Sequence, residues 1–207
     1  MRLILAAATA VLAMLSWPGA AAEPAKNMRT TPAAVCEAFS LHDTAGITRS
    51  HAEWQGKKAV VLLFIATECP VSNYYSPDYS RIANRYADRG VLVYGVHCDP
   101  VVSAADAAQH AKDFGIKFPV LLDPRQKLAA AVGAQTTPEA FVLTPAGKVI
   151  YHGRIDDRFA LNGKRRDEPT RRDLEAAIDA VLAGKTPEVQ ETKPYGCPLP
   201  PLKPQVN

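Results

Sequence analysis

Cysteine is scarce in this chain, with 4 in 207 residues. That is too few for a disulfide scaffold and enough for one redox pair. A dominant charge is also missing. Lys and Arg number 24 against 21 Asp and Glu, a formal net charge of +3, so nothing marks a nucleic-acid binder. The sequence has no internal repeat. After residue 22, no apolar run approaches the ~20 residues of a membrane span. Nor is this the composition of a disordered chain: 47% of residues are hydrophobic and 22% charged, as in globular proteins. The length suits one domain of about 150 residues with extensions. A domain of that size buries roughly 70% of its unfolded surface.

What is present begins with a leader. Arg2 is a short basic start, Leu3 to Leu15 is an almost unbroken apolar run, and Pro18 and Gly19 break it. Ala20-Ala21-Ala22 then forms a small-residue cleavage site. The pattern predicts a signal peptide over 1–22, cleaved after Ala22. It implies a periplasmic or secreted protein whose thiols meet an oxidising compartment. Residues 23–34, with Pro24 and Pro32, read as a linker. Residues 35–185 read as the folded domain, and 186–207 as a Pro-rich tail carrying Cys197.

Within the domain, Val35 to Leu41 alternates weakly, as in a short strand. Ala59 to Ala66 (AVVLLFIA) is a continuous apolar run, the mark of a strand buried on both faces. The loop Thr67 to Ser72 follows. Ser76 as N-cap and Pro77 at the first position then open a helix that Gly90 stops. Val91 to Val96 is a second buried strand. Ser103 and Asp106 form a capping box for the next helix. Val120 to Leu122 is a short strand, and Pro124 starts a short helix ending near Gly133. Ala140–Leu143 and Val149–His152, around Pro145-Ala146-Gly147, read as a hairpin. Thr170 and Asp173 form a second capping box, opening a helix striped by Leu174, Ala177, Ile178, Val181 and Leu182. Alternating buried strands and helices predict an α/β sandwich with a parallel core, made mixed by the hairpin.

Cys69 falls directly after a buried strand and before a helix. Free backbone N–H groups and the helix dipole favour an anion there. That lowers a thiol's pKa and raises its thiolate fraction. Pro138 follows Thr137 at the entrance to a strand, a place where proline suits a tight turn and is often cis. Cys98 ends the strand Val91–Val96, at the sheet rim where open α/β folds bind ligands.

The run FIATECPVSNYYSPDYSRIANRY, the Thr137-Pro138-Glu139 step, the end hairpin, the GRIDD run at 153–157 and Gly196-Cys197 carry a resemblance. The chain resembles secreted bacterial redoxins of the thioredoxin fold, in the peroxiredoxin-like branch of the alkyl hydroperoxide reductase/thiol-specific antioxidant (AhpC/TSA) superfamily. The resemblance implies a three-layer sandwich, with a mixed central sheet flanked by helices. It implies thiol-disulfide exchange with Cys69 as nucleophile and Pro138 as the cis-proline facing it. No cofactor is implied, only protein thiols or disulfides, or a small thiol or peroxide, and an external electron donor or acceptor. A lone nucleophilic cysteine needs a resolving partner. Cys197 is the first candidate and Cys98 the second.

The chain departs from its relatives at several positions. Ser72 stands where C-x-x-C has its second cysteine, and Leu63 where thioredoxins bury a carboxylate. Ala66 and Leu62 stand where peroxiredoxins have Thr or Ser and Pro, and Asn73 where copper chaperones have a second cysteine. Two alternatives stay open. One is a thiol peroxidase with Cys69 peroxidatic. The other is a non-enzymatic module that binds a partner, or copper or zinc through Cys69, Cys98, His97 and Cys197.

Other residues carry weaker signals. Glu68 raises the Cys69 pKa if it faces the thiol, and otherwise faces solvent. Arg154, Asp156 and Asp157 follow the hairpin; either the Arg154 cation steadies a thiolate or binds a carboxylate, or the three belong to an exposed salt-bridged loop. Tyr74, Tyr75 and Trp54 line a partner groove or the core. Cys36 reads as a buried structural thiol, and the basic cluster from Lys164 to Arg172 as a solvated loop.

Overall fold

A computed structural model describes residue 36 and residues 38–202. The expected signal peptide and linker lie outside the described residues. In chain order come a small hairpin, β1 (Ser40–His42) and β2 (Thr48–Ser50), then β3 (Ala59–Ile65), α1 (Pro70–Tyr74) and α2 (Ser76–Ala87). Next are β4 (Val91–His97), α3 (Ala104–Asp113), β5 (Val120–Leu122) and α4 (Lys127–Val132). The chain continues through β6 (Thr136–Thr137), β7 (Glu139–Leu143), β8 (Val149–Gly153), α5 (Asp173–Leu182) and β9 (Cys197–Pro198).

The central sheet has the order β5-β4-β3-β7-β8. β3, β4 and β5 run parallel, while β7 and β8 are antiparallel additions. The chain thus has the thioredoxin-like α/β fold, with a mixed sheet between helical layers. The continuous apolar run of β3 has a direct cause. Its side chains alternate between two cores, and all seven of its residues are buried. Ala59, Val61, Leu63 and Ile65 meet Tyr79, Ile82 and Tyr86 of α2, and Leu174 and Ile178 of α5. Val60, Leu62 and Phe64 meet Trp54, Leu128 and Val132 on the opposite face. Each large apolar side chain so buried contributes about 1.5–3 kcal/mol.

Four local expectations need correction. Pro124 lies in a turn, and the short helix α4 begins only at Lys127, after Gln126 in a left-handed conformation. Ser76 is the first residue of α2 rather than its cap, because the short helix α1 already begins at Pro70 and leads into it. Thr170 does not cap α5: its hydroxyl donates to the Asp157 carboxylate, and Arg172 holds the N-cap position without a side-chain bond. The first strand begins at Ser40, so Cys36 precedes it, buried against the Trp54 side of the sheet. The Ser103–Asp106 capping box and the β7–β8 hairpin form as expected.

The segment after α5 is not a free tail. The His152 N–H donates to the Gln190 carbonyl (3.0 Å) and the Thr192 N–H to the His152 carbonyl (3.1 Å), so the chain runs along the β8 edge. This covers an otherwise open strand. Thr192 Oγ1 accepts from the Arg154 N–H (2.9 Å) and lies 2.7 Å from the Tyr151 hydroxyl. Gly153 makes this approach possible. Its φ is +138°, and a Cβ there would overlap the Thr192 carbonyl oxygen. Further on, β9 pairs antiparallel with β6, Thr137 opposite Cys197. Gln126 clamps the end: its Nε2 donates to the carbonyls of Cys98 (3.1 Å) and Pro200 (2.7 Å).

Gly153→Ala is expected to loosen residues 190–192 while leaving the sheet intact. Glutamyl endopeptidase cleavage after Glu191 in the reduced protein should speed up about tenfold, because cleavage tracks the opened fraction. An unchanged rate would show that the tail does not depend on this contact.

Candidate functional site

β3 and β4 are parallel neighbours with Ile65 opposite His97. The loops that follow them, carrying Cys69 and Cys98, therefore leave the same rim of the sheet. Cys69 is the N-cap of α1, and its carbonyl accepts from the Asn73 N–H (2.9 Å). It is 1% exposed, forms a disulfide with Cys197, and the two Cα atoms are 6.0 Å apart. Cys69 Sγ lies 3.1 Å from the Thr137 carbonyl oxygen. The peptide bond that follows, Thr137–Pro138, is cis. Cys69, Pro138 and Cys197 are thus brought together.

The other sequence-predicted residues sit elsewhere. Cys98 is buried with its Sγ 4.0 Å from Asp123 Oδ2 and takes no part in the disulfide. Burial, with the Asp123 charge second, pushes its thiol well above the ordinary range. That shift favours the protonated thiol over the nucleophilic thiolate. Ser72 is also buried, and its hydroxyl accepts from the Ala66 N–H (3.4 Å), closing the loop ahead of α1. Glu68 faces solvent.

The GRIDD run serves as scaffold. Gly153 admits Thr192, as described above. Arg154 Nε donates to Asp173 Oδ2 (2.7 Å) and does not reach Cys69. Asp156 accepts from the Tyr75 hydroxyl (2.5 Å) and the Arg158 N–H (2.9 Å), bracing the α1–α2 junction. Burial raises the Asp156 pKa, and these hydrogen bonds oppose the shift. Asp157 collects the N–H groups of Thr170 (2.7 Å) and Arg171 (2.9 Å). Trp54 belongs to the core. Tyr74 and Tyr75 instead form an aromatic set with Phe159, which also stacks against Tyr195 two residues before Cys197. In the basic cluster, Arg165 lies over the Tyr74 ring and Arg166 pairs with Asp157.

Two features escape a reading of the sequence. The first is Glu139, just after the cis-proline. Its buried carboxylate accepts from the Gln135 (2.9 Å) and Thr136 (3.2 Å) N–H groups, fixing β6 in place. The second is a relay of neutral side chains behind Cys69. Asn73 Nδ2 donates to the Thr67 carbonyl (2.8 Å), so its Oδ1 is left to accept from His110 Nε2 (2.8 Å). His110 Nδ1 is then the acceptor facing His97 Nε2 (3.4 Å). His97 Nδ1 has no partner among the described residues. Burial lowers both imidazoles, His97 to about 4, with His110 the second cause there. His97 thus serves the Cys69 loop rather than a metal. Among the described residues, no group of three His, Cys, Asp or Glu side chains could hold a metal ion.

Comparison with known proteins agrees with this geometry. The family model described as the AhpC/TSA family matches residues 32–152. Thiol-disulfide oxidoreductase ResA of Bacillus thuringiensis is 28% identical over 93 residues, which is 45% of this chain and 53% of that protein. The chain therefore spans about half the length of the curated relatives it matches first. A hypothetical protein of Sinorhizobium meliloti 1021 has a crystal structure that superposes with a TM-score of 0.72 at 30% identity, covering 82% of this chain and 93% of the other. An uncharacterized conserved protein of Geobacillus kaustophilus gives 0.74 at 25% identity, covering 87% and 96%.

The histidine relay has a pH signature. Unfolded, His97 takes up a proton near pH 6.5; folded, only near pH 4. Between those values the unfolded chain binds more protons, so stability falls as pH drops from 6.5 to about 4. One such group contributes at most about 1.4 kcal/mol per pH unit. Its electrostatic neighbours are His110 and Asp99. Urea unfolding at pH 7 and pH 4.5 should show a smaller loss in His97→Gln than in the parent. Equal losses would sink the assignment.

Proposed function

The chain belongs to the AhpC/TSA family, and on that premise we propose that it is an exported thiol-disulfide oxidoreductase working through Cys69 and Cys197. One observation carries this reading: the two cysteines are bonded beside the cis-proline. In the reduced protein the Cys69 thiolate attacks a partner disulfide. A mixed disulfide forms and one partner thiolate leaves. The Cys197 thiolate then attacks Cys69 sulfur, closing the Cys69–Cys197 bond and releasing the second partner thiol. Two electrons and two protons pass to the partner. The steps run backwards when the partner is a dithiol, and relative potentials set the direction.

The chain's own residues supply position. Pro138 and the Thr137 carbonyl wall one side of Cys69. Ser72, Asn73 and the histidine relay hold its loop, and Glu139 holds the strand opposite. Cys197 is the more exposed of the two bonded cysteines, so in the oxidised chain it is the thiolate that leaves toward solvent when a partner thiolate attacks Cys69. The leader over 1–22 supports export to an oxidising compartment, where such a pair is kept at work. Among the described residues, no helix is long and apolar enough to cross a membrane.

The test is a redox titration of the full chain with dithiothreitol, read by alkylation and mass spectrometry. The Cys69–Cys197 bond should open and re-form reversibly. With a disulfide substrate, Cys69→Ser should abolish turnover, and Cys197→Ser should stop after one event with the partner bonded to Cys69. Turnover that survives in Cys69→Ser would overturn the reading. Cys69 oxidation by hydrogen peroxide that outpaces exchange would favour the peroxidase instead.

A further inference from the structure

The tail shows what the site accepts. β9 lies antiparallel on β6, with Cys197 opposite Thr137 and Pro198 opposite Thr136. The Leu199 N–H donates to the Gln135 carbonyl (2.9 Å). Proline lacks an N–H, so nothing in this pairing demands a donor at the position after the cysteine. The position before the cysteine is far more demanding. Gly196 does not have a left-handed backbone, so its φ alone would admit other residues. Space is what forbids them. A Cβ at 196 would overlap the Thr137 carbonyl oxygen and come within 2.8 Å of Pro138 Cδ. Those atoms belong to the Thr137–Pro138 step, and the two residues before it donate their N–H groups to the Glu139 carboxylate. One residue earlier, Tyr195 stacks on Phe159 with ring centroids 6.0 Å apart and planes inclined by 10°.

A sulfur makes one disulfide at a time. A partner sulfur bonded to Cys69 must therefore take the place of Cys197 Sγ, and the backbone carrying it meets the same wall. We infer that the groove along β6 is a binding site for an extended protein segment with glycine immediately before its reactive cysteine and an aromatic residue before the glycine. The tail occupies this site as an internal copy of that ligand. The tail also forms one wall of an open cleft of about 540 Å³, whose other wall includes Gln126, Gln135, Thr136 and Leu161. Main-chain pairing would supply affinity, and the glycine requirement specificity. The inference rests on the proposed role of Cys69 as nucleophile.

The experiment uses the full chain carrying Cys197→Ser. The probes are the heptapeptide Lys-Pro-Tyr-Gly-Cys-Pro-Leu, activated at its cysteine as a thionitrobenzoate mixed disulfide, and the same peptide with alanine for glycine. Free dithiobis(nitrobenzoate) is the reference. In each reaction Cys69 thiolate attacks the probe disulfide and thionitrobenzoate leaves, giving an absorbance signal. The adduct on Cys69 is read by mass spectrometry, because Cys36 and Cys98 are also present. The glycine peptide should react at least tenfold faster than the alanine peptide. Adding Gly196→Ala to the Cys197→Ser chain should displace the tail and speed the glycine peptide further. Reference reagent reacting at Cys69 while both peptides react equally would overturn the glycine filter and leave the proposed function standing. Cys69 inert to every probe would overturn both. A separate measurement needs no peptide. In the chain that retains Cys197, Gly196→Ala should lower the equilibrium formation of the Cys69–Cys197 bond at least tenfold, and an unchanged equilibrium would count against the filter.

Discussion

Two residues of β6 against two of β9 hold the site together. Without that pairing, Cys197 is a thiol on a Pro-rich segment. With it, the sulfur is delivered to Cys69. The pairing is possible because Glu139 takes up the Gln135 and Thr136 N–H groups, and because Gly196 has no side chain to meet the cis-proline step. So short a ladder is weak alone. It is reinforced from both ends, by Thr192 under Gly153 and by Gln126 on the Pro200 carbonyl.

The site also shows how this chain dispenses with features its relatives use. Leu63 occupies the position where thioredoxins bury a carboxylate, and here it is simply core. The second half of C-x-x-C is Ser72, whose hydroxyl accepts a backbone N–H instead of resolving a disulfide. The partner bonded to Cys69 is instead Cys197, 128 positions away in sequence. An uncharged chain of His97, His110 and Asn73 braces the loop. Burial disfavours charge on these imidazoles, so the brace holds through the neutral pH range.

Much of the fold was legible because it rests on periodicity. The unbroken apolar run of β3 and the stripe of α5 encode burial directly, and Ser103 with Asp106 encodes a helix start. Cys69 and Pro138 were legible because each sits at a strand end, where local sequence and chemistry coincide. The rest depends on partners far apart in sequence. Glu139 looks like any strand glutamate until β6 folds over it. Thr170 and Asp173 match a capping pattern, yet Asp157 from another loop captures the threonine first. Arg154 suggested thiolate chemistry, but a tertiary neighbour, Asp173, takes it up, as Tyr75 does Asp156.

The disulfide also closes the chain from Cys69 to Cys197 into a covalent ring. Everything from α1 to α5 lies inside that ring, while β1 to β3 lie outside. A machine pulling on either terminus of the oxidised chain would draw out only the outer segments. The chain between the sulfurs, a sequence separation of 128, would stay hidden, roughly 400 Å of extended chain. Opening one bond releases that length. Oxidation therefore decides how much of this protein can be unravelled by force, independently of how stable its sheet is.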